Sequence, residues 1–254
     1  MRCKALRRFF VEEIRVKEGH CIITDPEARH ISKVLRMGPG ERLILMDGKG
    51  TRFLALIESV SSREVSVALE KPLPIPIPSP VKIVLCQALL KSRTMDYVIQ
   101  KTSELGVDSI IPFASKRTVV RFEKERLANR MRHWREIAQS SAKQSDRDRP
   151  AVIESVLTFS ELMAKWKKTD SLKIILWEDE PSRDLKAQLR ASLPAKQFVG
   201  MVGPEGGFGR EEIEAARNAG FISVSMGNRV LRAETAAMTL VGIVQYEWGD
   251  LGLL

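Results

Sequence analysis

The stretch Lys71-Pro72-Leu73-Pro74-Ile75-Pro76-Ile77-Pro78-Ser79-Pro80 constrains this chain more than any other. Each proline locks φ and removes a backbone donor, so the alternation holds an extended, polyproline-like path through which no central strand can pair. It divides the 254 residues into a small module at 1–72, a linker at 73–80 and a larger module at 81–254. Ahead of the linker, Arg42–Met46, Thr51–Ile57 and Glu64–Leu69 read as short strands, with Asp47-Gly48-Lys49-Gly50 as a turn between the first two. That is a small β-barrel pattern. One helix interrupts it: Asp25 caps, Pro26 suits the first turn, Ile31, Val34 and Leu35 share a face, and Gly38 ends it.

Beyond the linker the pattern changes. Apolar runs at Val81–Leu90, Ser109–Phe113, Leu172–Trp177, Gln197–Val202 and Phe221–Ser225 alternate with helical segments. The segments are Met95–Leu105, Glu123–Gln144, Ser182–Leu193, Arg210–Ala219 and Ala233–Trp248. This alternation predicts an α/β domain with a mostly parallel sheet, which binds ligands at the carboxyl ends of its strands.

Charge narrows the partner. Lys and Arg number 41 against 32 Asp and Glu, a net charge of +9 that favours a polyanion and makes nucleic acid the leading partner class. No apolar run approaches a membrane span, and Glu12 and Glu13 stand where a signal peptide needs its apolar stretch, so a cytoplasmic protein is expected. Cys3, Cys21 and Cys86 are scattered, as are His20, His30 and His133. Neither a disulfide framework, a metal site nor a Ser-His-Asp triad is supported, and Cys86 reads as a small buried hydrophobe.

Three segments follow strands and carry polar or glycine-rich chemistry. Val202-Gly203-Pro204-Glu205-Gly206-Gly207-Phe208-Gly209 opens into a helix; its glycines admit a ligand to the backbone, although it is neither a dinucleotide fingerprint nor a P-loop. By itself it is equally an ordinary strand-to-helix turn. Met226-Gly227-Asn228-Arg229-Val230-Leu231-Arg232-Ala233-Glu234-Thr235-Ala236 sets Arg232 and Glu234 where strand gives way to helix. Trp177-Glu178-Asp179-Glu180 ends another strand; it is either a solvated loop or a contact for a ribose hydroxyl or a cationic centre.

Together, Gly203-Pro204-Glu205-Gly206-Gly207-Phe208 and Val230-Leu231-Arg232-Ala233-Glu234-Thr235-Ala236 closely resemble the SPOUT-class RNA methyltransferases, specifically the RsmE-like family that methylates N3 of a uridine in small-subunit ribosomal RNA. Further similar stretches at Arg7–Phe10, His30–Arg36, Lys101–Val107 and Ser141–Arg147 extend the resemblance over nearly the whole chain. Ser140, Ser141, Met226 and Val230 depart from the family's usual residues without touching the glycine or Arg-x-Glu-Thr-Ala positions. The resemblance implies an α/β fold with a C-terminal trefoil knot, an N-terminal PUA-like RNA-binding β-barrel, bound S-adenosylmethionine and a homodimer. It further implies a cofactor site at Gly203, Glu205, Gly207, Met226, Gly227, Leu231, Thr235 and Ala236.

For such a reaction Arg232 is the expected cation for a uracil anion, and Glu234 either accepts the N3 proton or holds Arg232, with Glu205 a third candidate. Small-subunit ribosomal RNA, free or in the assembled subunit, is the expected partner. Its grip is expected from Arg2, Lys4, Arg7, Arg8, Lys33 and Arg36, with Phe9 and Phe10 stacking on bases. A second basic stretch, Lys116, Arg117, Arg121 and the following arginines, is expected to contact phosphates. Competing readings are a SPOUT enzyme acting on a ribose 2′-hydroxyl or a guanine nitrogen, a non-catalytic RNA-binding assembly factor, and, more distantly, a nicotinamide oxidoreductase.

Overall fold

A computed structural model describes residues 6–118 and 124–252, and the chain falls into two compact units. The first comprises the residues up to Ile77 together with Ala142–Pro150. It is built on β1 (Arg7–Phe10), β2 (His20–Thr24), α1 (Glu27–Arg29), β3 (Arg42–Met46), β4 (Arg52–Val60) and β5 (Glu64–Pro72). The five strands form one sheet in the order β1-β3-β4-β5-β2, with β1 parallel to β3 and the other pairs antiparallel, so the expected barrel is an open half-barrel. Strand alternation sends Leu43, Leu45, Ala55, Ile57, Val65 and Val67 into a core with Phe9 and Ile23.

The helix expected after Asp25 is shorter than the pattern suggested. Pro26 stands at the cap, α1 has three residues, and His30–Val34 continue as a wide π-helical turn closed by Leu35 N–H donating to the His30 carbonyl at 2.9 Å. The wide turn breaks the 3.6-residue repeat, so Ile31 is buried while Val34 faces solvent.

The segment Ala142–Pro150, which lies well past the proline stretch, joins this first unit through charge. Asp146 receives Arg8 at 2.7 Å and the buried Arg52 at 2.6 Å, and Lys143 pairs with the buried Glu27.

The second unit, Pro78–Ser141 and Ala151–Leu254, contains β6 (Lys82–Ala88), α2 (Ser92–Glu104), β7 (Ser109–Ala114), α3 (Lys124–Gln144, whose last turn belongs to the first unit), β8 (Val152–Ile153) and β9 (Leu157–Thr158). It continues through α4 (Phe159–Trp166), β10 (Leu172–Leu176), α5 (Leu185–Ala191), β11 (Gln197–Val202), α6 (Arg210–Asn218), β12 (Ile222–Val224) and α7 (Ala233–Trp248). The sheet runs β12-β10-β11-β6-β7-β8 with every pair parallel, and β9 adds to β7.

Both sheet faces are covered, which explains why its strands read as mostly apolar runs. On β6, Ile83 and Leu85 pack into the layer holding Val98 of α2, Trp134 of α3, Leu189 of α5 and Leu240 of α7. Val84 and Cys86 enter the opposite layer with Leu162 of α4 and Ile213 of α6. Cys86 is fully buried, and burial pushes its thiol far above the ordinary range, so it packs as a hydrophobe. Strands β8 and β9 and helix α4 are elements that periodicity alone did not reveal; each strand has two residues.

Candidate cofactor pocket at the carboxyl end of the parallel sheet

Where β10, β11 and β12 end, their loops enclose a cavity of about 660 Å³, inside the 300–1,000 Å³ range of small-molecule sites. The loop after β11 folds back on itself through Gly207 N–H donating to the Pro204 carbonyl at 3.0 Å. Gly207 has φ +66°, and a Cβ there would stand 2.9 Å from Glu178 Oε1, so only glycine lets this loop lie against the carboxylate. Phe208, stacked parallel to Phe113 at 6.3 Å, backs the loop from the core. Glu205 Oε1 accepts from Lys91 N–H at 3.3 Å, which brings the start of α2 to the rim.

Gly203, Glu205, Gly207, Met226, Gly227, Leu231 and Ala236 all line this cavity, as do Arg232 and Glu234. Thr235 does not; it sits on the flank of α7 between two lining residues, where its carbonyl accepts from Thr239. Arg232 is the cap residue of α7, exposed on the pocket wall, and Glu234 lies in the helix's first turn. The two glycine segments thus meet in one cavity, and the second of them puts a cation and a carboxylate there.

The acids after β10 take different roles. Glu178 and Glu180 line the pocket while Asp179 does not. Burial pushes the Glu180 carboxyl up, but hydrogen bonds from Ser223, Ser182 and Arg217 outweigh it and hold the group below the usual carboxylate range. The pocket residues Lys91 and Thr94 were not singled out from sequence, although the carboxyl end of a predicted strand pointed to Lys91. Arg217 and Ser223 were also missed, and they carry no local motif.

The expected RNA contacts separate. Arg7, Lys33 and Arg36 are exposed, whereas Arg8 is half-buried on Asp146. Phe9 is only 1% exposed and Phe10 6%, which overturns their assignment as base-stacking residues. Phe9 has its ring against the His30 edge at 6.1 Å with Lys143 Nζ 5.9 Å from its centroid, so no base can reach it. Lys116 is exposed and paired with Glu211, and Arg117 donates to the Gly206 carbonyl at 2.8 Å, which ties this basic stretch to the glycine loop. Arg121, Arg2 and Lys4 lie outside the described residues. Among the described residues no cluster of His, Cys, Asp and Glu is placed to hold a metal ion, and no helix is long and apolar enough to cross a membrane.

Known proteins share this arrangement. The family model of an RNA methyltransferase domain matches residues 77–245, and that of an RNA methyltransferase PUA domain matches 23–70. A ribosomal RNA small subunit methyltransferase E of Bacillus subtilis is 27% identical over 95% of this chain and 97% of its own length. The crystal structure of such an enzyme from Neisseria gonorrhoeae, bound to S-adenosylmethionine, superposes with TM-score 0.85 at 31% identity and covers 96% of this chain and 99% of its own. A Legionella pneumophila methyltransferase solved with S-adenosylmethionine gives TM-score 0.84 at 32% identity, covering 97% and 99%. With both units matched at these levels and the two glycine segments meeting in one cavity, the chain belongs to the RsmE-like family of SPOUT RNA methyltransferases.

Proposed function

We propose that the cavity binds S-adenosylmethionine and that the chain methylates N3 of a uridine in 16S, small-subunit ribosomal RNA. The observation that carries this reading is the convergence of both glycine segments, Arg232 and Glu234 on one cavity at the carboxyl end of the sheet. The residues fit the cofactor. Gly207 brings the backbone into the wall where adenine recognition needs amides and carbonyls, and the exposed Glu178 offers an acceptor to hydroxyl or cationic groups. The cofactor supplies a methyl already activated on a sulfonium, so the protein's work is alignment and one proton.

Uracil N3–H must lose its proton before it becomes nucleophilic, and the base must swing out of its stack to enter the pocket. The Glu234 carboxylate accepts that proton, and the Arg232 guanidinium holds the charge that spreads onto O2 and O4. Arg7, Lys33 and Arg36 on the first unit, all exposed, serve as phosphate contacts. The reading places the chain in the cytoplasm, where its RNA is.

The homodimer is part of the same reading. On α7, Ala237, Leu240, Val241 and Val244 are buried within their own unit, but Thr235, Thr239 and Gly242 are half-covered and Tyr246 is 70% exposed. Spaced by four, three and four residues, these last four share one outward face, and a second copy would cover it. The trefoil knot also belongs here. Its support is that the chain leaves β12 at the sheet edge and returns as α7 over β6 and β11.

Labelled S-adenosylmethionine incubated with unmodified small subunits tests the proposal. The expected product is 3-methyluridine in 16S RNA. Label in a ribose or a guanine assigns a different target, and donor binding without transfer makes the chain a non-catalytic factor.

A further inference from the structure

One buried carboxylate gathers the three segments that wall the cavity. Glu180, its side chain 2% exposed, ends the loop after β10 and lines the pocket. Arg217, near the end of α6, donates from Nη2 to Glu180 Oε2 at 2.8 Å. The same guanidinium donates to Ser223 Oγ of β12, at 2.7 Å from Nη2 and 3.0 Å from Nε, while Ser223 Oγ itself donates to Glu180 Oε2. Ser182 adds a bond to Glu180 Oε1 at 3.1 Å. Helix α6 is the continuation of the Gly203–Gly209 loop, and β12 runs directly into the Ser225–Arg232 segment. Glu180 is therefore fastened to the elements that carry both glycine segments.

The guanidinium does a second thing. Its Cζ lies 5.6 Å from the ring centroid of Trp177, a residue that lines the pocket. Trp177 N–H donates to the Val224 carbonyl at 3.0 Å, and beyond it Ser225 N–H donates to the Arg183 carbonyl at 2.8 Å, so the backbone on either side of Glu180 is zipped along β12. A planar cation bonded along its edge, with its centre over the indole, is restricted in orientation and in turn restricts the indole. The carboxylate is buried while the Arg217 side chain stays 41% exposed, so the pair is weak support for stability as such, and a role in holding one arrangement is the better-attested reason to keep it.

We propose that Arg217 and Ser223 are positioning residues for the cofactor pocket: neither lines it, and both act by holding Glu180 and the Trp177 ring as its wall. The network sets donor affinity and leaves the transfer step, which belongs to residues on α7, largely untouched. The inference rests on the cofactor reading above.

The test compares Arg217→Met, Arg217→Lys and Ser223→Ala with the parent, by calorimetric titration of S-adenosylmethionine and by turnover at saturating donor and RNA. Arg217→Met should weaken donor binding by about tenfold, the size of one lost charge-assisted hydrogen bond, with kcat within about twofold. Arg217→Lys should recover part of this, because an ammonium can reach Glu180 but cannot fork to Ser223 while sitting over Trp177. Ser223→Ala, which removes only a hydroxyl, should move affinity the same way by a few-fold. The donor-induced change in tryptophan fluorescence, assigned with Trp177→Phe, should shrink in step with affinity. Unchanged donor affinity in Arg217→Met and Ser223→Ala overturns the inference, as does a loss in Met and Lys variants that is equal and tracks only their melting temperatures. Failure of the unaltered chain to bind the donor overturns the cofactor reading instead.

Discussion

At the scale of single residues, two of the carboxylates that line the pocket, Glu234 and Glu180, have separate proposed work. Glu234 faces the cavity from the first turn of α7, where a proton acceptor for N3–H is needed. Glu234→Gln should therefore slow methyl transfer steeply near neutral pH and recover as alkaline pH ionises the uracil unaided; a single-turnover pH profile checks this, and a uniform loss at every pH would assign Glu234 to holding Arg232. Glu180 is buried, and its carboxyl is held below its ordinary value by Ser223, Ser182 and Arg217 against the opposing effect of burial. A depressed folded pKa adds stability that is complete above the ordinary carboxylate value and is lost as pH falls through the folded one. The melting temperature of Glu180→Gln should consequently lie below the parent at pH 7 and converge on it as pH falls below the ordinary carboxylate range. A constant gap across that window would mean that the carboxylate's charge contributes nothing.

Among elements, the strands buried on both faces were the most legible in sequence. Val81–Leu90 and Gln197–Val202 are mostly apolar, with only Lys82, Gln87 and Gln197 polar, because α-helices cover both sides of β6 and β11. Strand β1 was harder. Its Arg-Arg-Phe-Phe has two apolar residues only, and the parallel partner that buries Phe9 is over thirty residues away, so the phenylalanines read as free rings. The helix after Asp25 failed at Val34 because a π turn has a different angular repeat. Of the pocket, the glycine loop and the Arg232–Glu234 pair were legible as short motifs. Arg217 and Ser223 were not, since their partner Glu180 lies 37 and 43 residues away. The seat of α7 offers a direct check on packing. A Cβ on Gly200 of β11 would fall 2.6 Å from Leu240 Cδ2, so Gly200→Ala must displace α7 or its leucine. Overpacking of this kind costs about 1–3 kcal/mol, and at about 2–4 °C per kcal/mol a fall in melting temperature of several degrees is expected by calorimetry. A melting temperature equal to the parent's would show that α7 does not sit against β11 in this way.

For the whole molecule, the net positive charge suits a polyanionic partner, and the proposal gives the grip to one unit and the chemistry to the other. On the same proposal a second copy covers the outward face of α7. Gly242 stands on that face, and a Cβ there would meet no atom within 4 Å, so a longer side chain can leave the helix without a clash at its root. Sedimentation at micromolar concentration should find the parent dimeric and Gly242→Arg monomeric with an unchanged far-ultraviolet circular dichroism spectrum; a dimeric variant would move the interface elsewhere.

We propose that a methyl group meets RNA in the cavity formed by the two glycine segments, with Arg232 stabilising the charge that develops on the base. The single-turnover rate of Arg232→Ala with donor and small subunits saturating, taken beside its donor affinity, decides this. Loss of an electrostatic stabiliser should lower the rate by about 10²–10³-fold while the affinity for S-adenosylmethionine stays within about twofold. A rate close to the parent's under these conditions would contradict the claim.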